Sequence, residues 1–97
     1  MKHIILSPRV GSFAENKDIA RDIRLSEILP ALAANEDVTI DFEGIHDATQ
    51  SFIHALLSDV LRQYGDEVLD RLRFRSCSET VRKMIEIVVE YMQESEG

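Results

Sequence analysis

Two hydroxyls, Thr49 and Ser51, stand between a short strand pattern and a strong helical one, in the run Glu43-Gly44-Ile45-His46-Asp47-Ala48-Thr49-Gln50-Ser51-Phe52. A hydroxyl at a helix start has two chemistries open to it. It can accept a hydrogen bond from the free N–H groups of the first turn, which stabilises the helix by ~1 kcal/mol. It can also carry a phosphoryl group, whose charge the same N–H groups and the helix dipole favour. Ser51 is read first as the helix N-cap, and Ser51 and Thr49 together as the candidate phosphoacceptors. Asp47 with Gln50 offers an alternative capping box, which would start the helix earlier and enclose Ser51 in its first turn.

Other chemistries find less support. Ser51, His46 and Asp47 have the residue types of a hydrolytic triad, but they are too close in sequence to orient as one, and no oxyanion-hole motif accompanies them. No catalytic residue is assigned and no enzyme is expected. His3, His46 and His54 lack a recognised ligand spacing. Cys77 is the lone cysteine, so a zinc site would lack its usual sulfur ligands and no intramolecular disulfide can form. No metal and no cofactor is expected. Lys17, Arg21 and Arg24 recur at i, i+4, i+7 and read as a solvated face paired with Asp18 and Asp22. Asp41 is expected to pair with Arg73 or Arg75 if their strands adjoin.

The elements that must position these residues follow from hydrophobic period. His3 to Leu6 reads as a strand, and Ser7 to Ser12 has turn chemistry. Glu15 to Ala34 is mostly helical, with Ile19, Ile23, Ile28 and Leu32 on one stripe; Pro30 predicts a kink or restart near Ser26. Val38, Ile40 and Phe42 alternate with Thr39 and Asp41 in a second strand. Phe52, Ile53, Leu56, Leu57, Val60, Leu61 and Tyr64 mark a helix from about Ser51 to Tyr64, closed by Gly65. Leu72 to Arg75 alternates again. Ser76-Cys77-Ser78-Glu79 matches a capping box, and the last helix runs to about Gln93 on Val81, Met84, Ile85, Val88, Val89 and Met92. Ile87 and Tyr91 lie off that stripe, which leaves core burial and a contact with a partner or a second copy as equal alternatives.

Strand and helix alternate three times, the mark of an α/β domain with a largely parallel sheet. Sheets covered on both faces have strands that are apolar throughout. Two of these three strands are apolar on one side only, so the helices are expected mainly on one face, leaving Thr39, Asp41, Arg73 and Arg75 on the other. Ninety-seven residues fit one domain. The net charge of -7 argues against nucleic acid or an anionic membrane surface as the partner and leaves room for a basic protein. No apolar stretch reaches the ~20 residues of a membrane span. The apolar run Ile4-Ile5-Leu6 is too short for a signal peptide. A cytoplasmic location is expected.

The segments Val38-Thr39-Ile40-Asp41-Phe42-Glu43-Gly44-Ile45, Thr49-Gln50-Ser51-Phe52, Tyr64-Gly65-Asp66-Glu67 and Leu72-Arg73-Phe74-Arg75 together resemble the bacterial STAS-like domain family of unassigned function. Phe13-Ala14 and Ala20-Arg21-Asp22-Ile23-Arg24 resemble its first helix. The resemblance covers roughly Val10 to Tyr91. It implies a small, mixed, mostly parallel sheet with helices mainly on one face. That family is similar in turn to the STAS domains of anti-sigma-factor antagonists, which are binding modules and not enzymes. In the antagonists a serine in Asp-Ser-Ser-Gly, at the start of the helix after the central strand, is phosphorylated by a partner kinase. Here Gln50 takes that serine's place in an ungapped match, beside Thr49 and Ser51. The resemblance implies a cytoplasmic regulatory module of bacterial signalling that binds a protein, a histidine-kinase-type ATPase or anti-sigma-like kinase. Its partner-binding loop would be Glu43, Gly44, His46, Asp47, Thr49, Gln50 and Ser51. The alternative is a small-molecule or nucleotide binder using the same loop and helix N-terminus, although no Gly-rich phosphate loop is present.

Overall fold

The three period-2 segments become one parallel sheet. In a computed structural model, which describes residues 1–96, β1 (Lys2–Ile5), β3 (Val38–Asp41) and β5 (Leu72–Arg75) lie side by side in that order, with β3 central. His3, Thr39 and Arg73 share one level of the ladder, and Ile5, Asp41 and Arg75 share the level two residues on. A parallel sheet that grows in one direction, with every crossover right-handed, puts all its crossover helices on the same face. The helices lie mainly on one face as expected, but the other face is not open throughout: Thr39 and Asp41 of the central strand are buried, and of the four residues expected there only Arg73 and Arg75 are exposed.

That face carries α4 (Gln50–Tyr64), α5 (Glu79–Glu96) and a broken helix that begins with α2 (Lys17–Ile23). The core joins Ile4, Val38, Ile40 and Leu72 of the sheet to Ala20, Ile23, Ile28 and Leu32 of the broken helix, and to Phe52, Ile53, Leu56, Leu57, Val60 and Leu61 of α4. Val81, Ile85, Val88 and Met92 of α5 complete it. The helical stripes read from the sequence are therefore the buried faces. Gly65 ends α4 at φ 75°, and its N–H donates to Leu61 C=O at 2.8 Å.

The break falls where Pro30 predicts it. After α2 comes a π-helical turn, Arg24–Ile28, and then α3 (Leu29–Ala33), with Leu29 N–H reaching back to Arg24 C=O. Pro30 has no N–H to give Ser26 C=O, so the regular ladder cannot continue through it. The Ser26 hydroxyl donates to Asp22 C=O at 2.6 Å across the widened turn.

Four further expectations need correction. Arg24 does not lie on a solvated face: it is 9 % exposed, Nη1 donates to Ala55 C=O at 2.8 Å, and Nη2 pairs with Asp59 at 3.2 Å. Regular helical phase puts it one turn after buried Ala20, with its N–H still bonded to Ala20 C=O, on the side that faces α4. Asp22 pairs instead with Arg9, which also holds Glu27. Asp41 pairs with neither arginine. Its Oδ1 accepts from Glu43 N–H at 2.9 Å, and its Oδ2 lies 3.4 Å from His3 Nε2, while Arg73 and Arg75 extend to solvent. Finally, α5 starts later than its supposed cap. Ser78 Oγ accepts from Val81 N–H at 3.1 Å, and Ser76 sits at φ 57° two residues before it.

Several short elements have no counterpart in the sequence pattern, and Phe13–Ala14, likened to part of a first helix, is one of them, a strand. A single helical turn, α1 (Ser7–Val10), follows β1, and a two-stranded parallel ribbon pairs β2 (Phe13–Ala14) with β4 (Asp47–Ala48). Among the described residues no helix is long and apolar enough to cross a membrane.

Candidate functional site

The β3–α4 loop is fastened at several points. Ile45 is buried, and its N–H donates to Phe42 C=O at 3.0 Å around Gly44, which adopts φ 83°. A side chain is strained at that φ, so glycine suits the tight reversal. His46 N–H donates to Ser12 C=O at 2.8 Å, and His46 C=O accepts from the Ser78 hydroxyl at 3.0 Å. Asp47 Oδ1 accepts from Ala48 N–H at 2.8 Å. No hydrogen bond among the described residues joins Ser51 to His46 or Asp47, so the three do not form a triad. The loop is stitched to the β1–β2 connection on one side and to the α5 cap on the other.

The β2–β4 ribbon decides what the loop delivers. Both strands run the same way, and each leads straight into a helix: β2 into α2, β4 into α4. The two helix N-termini are thereby set next to each other. Asn16 Oδ1 caps α2, accepting from Asp18 N–H at 2.9 Å and Ile19 N–H at 3.3 Å. Thr49 caps α4, its Oγ1 accepting from Phe52 N–H at 3.1 Å. Thr49 N–H donates to Ala14 C=O at 2.9 Å, which ties the cap to the neighbouring strand.

Thr49, not Ser51, is therefore the N-cap. A Ser51 cap would need Ser51 extended, whereas Thr49 is the extended residue (φ -79°, ψ 157°) and the helix already runs from Gln50. Ser51 falls inside the first turn, the outcome expected from an Asp47–Gln50 box, but with Thr49 supplying the cap. Its hydroxyl is exposed and has no partner among the described residues.

Between the two helix starts lies an open groove of about 340 Å³, lined by Lys17, Gln50, Ser51, His54 and Ala55. Of the expected loop, Gln50 and Ser51 reach it. Glu43 and Gly44 lie at the other end of the loop, where Gly44 stands against the Ser7 side chain. His54 and Ala55 were missed as neighbours of this loop, and Lys17, read as part of a solvated face, lines the groove with them. They become neighbours only through the parallel β2–β4 pairing, and two-residue strands leave no period to read. Past the groove, the His54 ring meets Tyr91 of α5 edge-on, with ring centroids 6.4 Å apart. Tyr91 and Ile87 are 55 % and 49 % exposed, so of the two alternatives for this pair, core burial is set aside.

Cys77 stands apart from this groove, at the carboxyl end of β5. Burial pushes its thiol above the ordinary range, Arg82 opposes the shift, and Asp41 adds to it. The net direction keeps the thiol protonated at neutral pH, which does not favour nucleophilic chemistry. Among the described residues no group of three or more His, Cys, Asp or Glu side chains is placed to hold a metal ion.

Compared with known proteins, residues 24–82 match the family model described as a STAS-like domain of unknown function. No curated protein and no solved structure matches the chain. The matched span contains the central strand, the whole β3–α4 loop, α4 and β5.

Proposed function

We propose that this chain, which belongs to that STAS-like family, is a non-enzymatic regulatory module that binds another protein through the β3–α4 loop and the start of α4, with Ser51 as a switchable hydroxyl. One observation carries the reading. Of the two hydroxyls in the loop, Thr49 is committed to its cap, and Ser51 is exposed, unpartnered among the described residues and beside Lys17 in the groove. A phosphate there would add roughly -1.5 to -2 charges within the first turn of a fifteen-residue helix. The helix dipole and the Lys17 ammonium both favour that charge. The groove, whose one formal charge is Lys17, would change sign from positive to negative without rearranging the core, which suits a docking surface that must be turned on or off. A histidine-kinase-type ATPase acting in the cytoplasm is the partner class that agrees with the resemblance.

The test is to incubate the purified chain with an extract of its native host and ATP, map phosphosites by mass spectrometry, and compare the proteins retained by the wild type, Ser51→Ala and Ser51→Asp. Phosphate on Ser51, and a retained protein that distinguishes Ser51→Asp from wild type, is the expected result. No modification together with no retained protein would overturn the regulatory reading. Saturable binding of nucleotide alone in the Ser51 groove would replace it with the small-ligand alternative.

A further inference from the structure

The outer edge of β5 is a second surface, on the far side of the sheet order from β1. Val38 N–H donates to Arg71 C=O at 2.8 Å, and Phe42 N–H to Arg75 C=O at 2.9 Å. In a parallel ladder the N–H and C=O of one residue serve the same neighbouring strand. The odd-numbered residues of β5 are thus spent on β3, and Leu72 and Phe74 turn their backbone groups outward. No strand pairs with that edge among the described residues. An open row of donors and acceptors is a template for another strand.

The two flanks of this edge differ in chemistry. On the helix side, β5 and α5 enclose a groove of about 330 Å³ lined by Phe74, Cys77, Arg82, Ile85 and Glu86. Phe74 is half-buried and Ile85 buried, so the floor is apolar and the charged pair forms the rim. On the open side, Arg73 and Arg75 are exposed and make no ion pair among the described residues. Two unpaired cations on one strand are conspicuous in a chain of net charge -7.

We propose that an extended segment of a partner protein adds to β5 as a fourth strand, placing an apolar side chain in the β5–α5 groove and acidic side chains beside Arg73 and Arg75. Side chains of a strand alternate between faces, so one segment can satisfy both flanks. Backbone pairing supplies the attachment and the alternate positions supply the choice of sequence. A second copy of the chain is a poor occupant. Pairing two β5 edges, in either direction, sets arginines against arginines, and like charges directly opposite are destabilising. The acidic remainder of the surface gives an acidic segment little reason to settle elsewhere.

The site does not depend on the Ser51 reading, and the experiment separates the two. Random nine-residue peptides displayed on phage are selected on the purified full chain, and an enriched peptide is synthesised for NMR. The expected consensus alternates apolar with acidic residues, and the peptide slows hydrogen exchange at the Leu72 and Phe74 amides. Charge reversal by R73E with R75E, exposed positions whose loss leaves the spectrum of the core in place, weakens that peptide by about tenfold or more. Ser51→Ala leaves its affinity unchanged. A library that enriches no alternating acidic sequence overturns the proposal, as does a peptide that shifts Lys17 and Ser51 while β5 is silent. Protection of Leu72 and Phe74 without peptide, lost on dilution, would assign the edge to a second copy and equally overturn it.

Discussion

Thr49 and Ser51 divide two roles that the sequence offers to either. Thr49 Oγ1 satisfies one of the four N–H groups that α4 leaves without an internal partner, and Ser51 Oγ satisfies none. Thr49→Ala should therefore destabilise the fold by about 1 kcal/mol. Ser51→Ala, at an exposed first-turn position, should stay within about 0.5 kcal/mol of wild type. Urea denaturation of the two variants separates the roles directly. Equal losses at both positions would show that Ser51 also bears on the fold, and a functional defect in Ser51→Ala would then no longer isolate its hydroxyl. The sequence placed the cap two residues late for a physical reason: the apolar stripe begins at Phe52, and Gln50 and Ser51, being polar, carry no trace of helical phase. Asp41 is a similar case. Its partner depends on which oxygen a backbone amide claims, and Glu43 N–H takes Oδ1 while His3 approaches Oδ2.

At the scale of elements, whatever had a long period was legible. α4, α5, β3 and β5 lie where their stripes put them, and the interruption that Pro30 imposes is the π turn Arg24–Ile28, around Ser26. What lacked a period was not legible. β2 and β4 are two residues each, and their pairing, which builds the groove, is a long-range event invisible to local pattern. The burial of Arg24 follows from its place one turn after buried Ala20, where its charge suggests a surface but the guanidinium finds Ala55 C=O and Asp59 on α4. Gly65 shows an element boundary that the sequence did locate. Its φ of 75° and ψ of -176° fall in a region that is essentially restricted to glycine, and a Cβ built there meets nothing within 4 Å. Gly65→Ala should then cost about 1–3 kcal/mol through backbone strain alone. Differential scanning calorimetry should show a lowered Tm with the native spectrum retained at room temperature. An unchanged Tm would mean that the α4–β5 connection can adopt another conformation at no cost.

For the whole molecule, the one-sided parallel sheet makes remote parts of the chain depend on each other. Among the described residues no strand pairs with its neighbour in sequence through a hairpin; β1 finds β3 and β3 finds β5, each across a helical crossover. The span that carries the family likeness, residues 24–82, is smaller than the unit that buries the core. It omits β1, whose Ile4 and the following Leu6 are buried against β3 and the helices, and it omits α2, whose Ala20 and Ile23 pack on α4. It also cuts α5 after Arg82, before Ile85, Val88 and Met92. Without these, β3 becomes an edge and one face of α4 is stripped, which a small core cannot absorb given net stabilities of about 5–15 kcal/mol. A fragment of residues 24–82 should show no cooperative thermal transition by circular dichroism, while the full chain unfolds in one. Restoring residues 1–23 alone should not rescue the fragment, because α4 would still lack α5; restoring both ends should. If residues 24–82 folded unaided, the β1 pairing and the α4–α5 packing would be ornaments on a smaller domain. The β3–α4 loop would then owe its position to β3 and α4 alone, and no longer to the ribbon that sets two helix starts side by side.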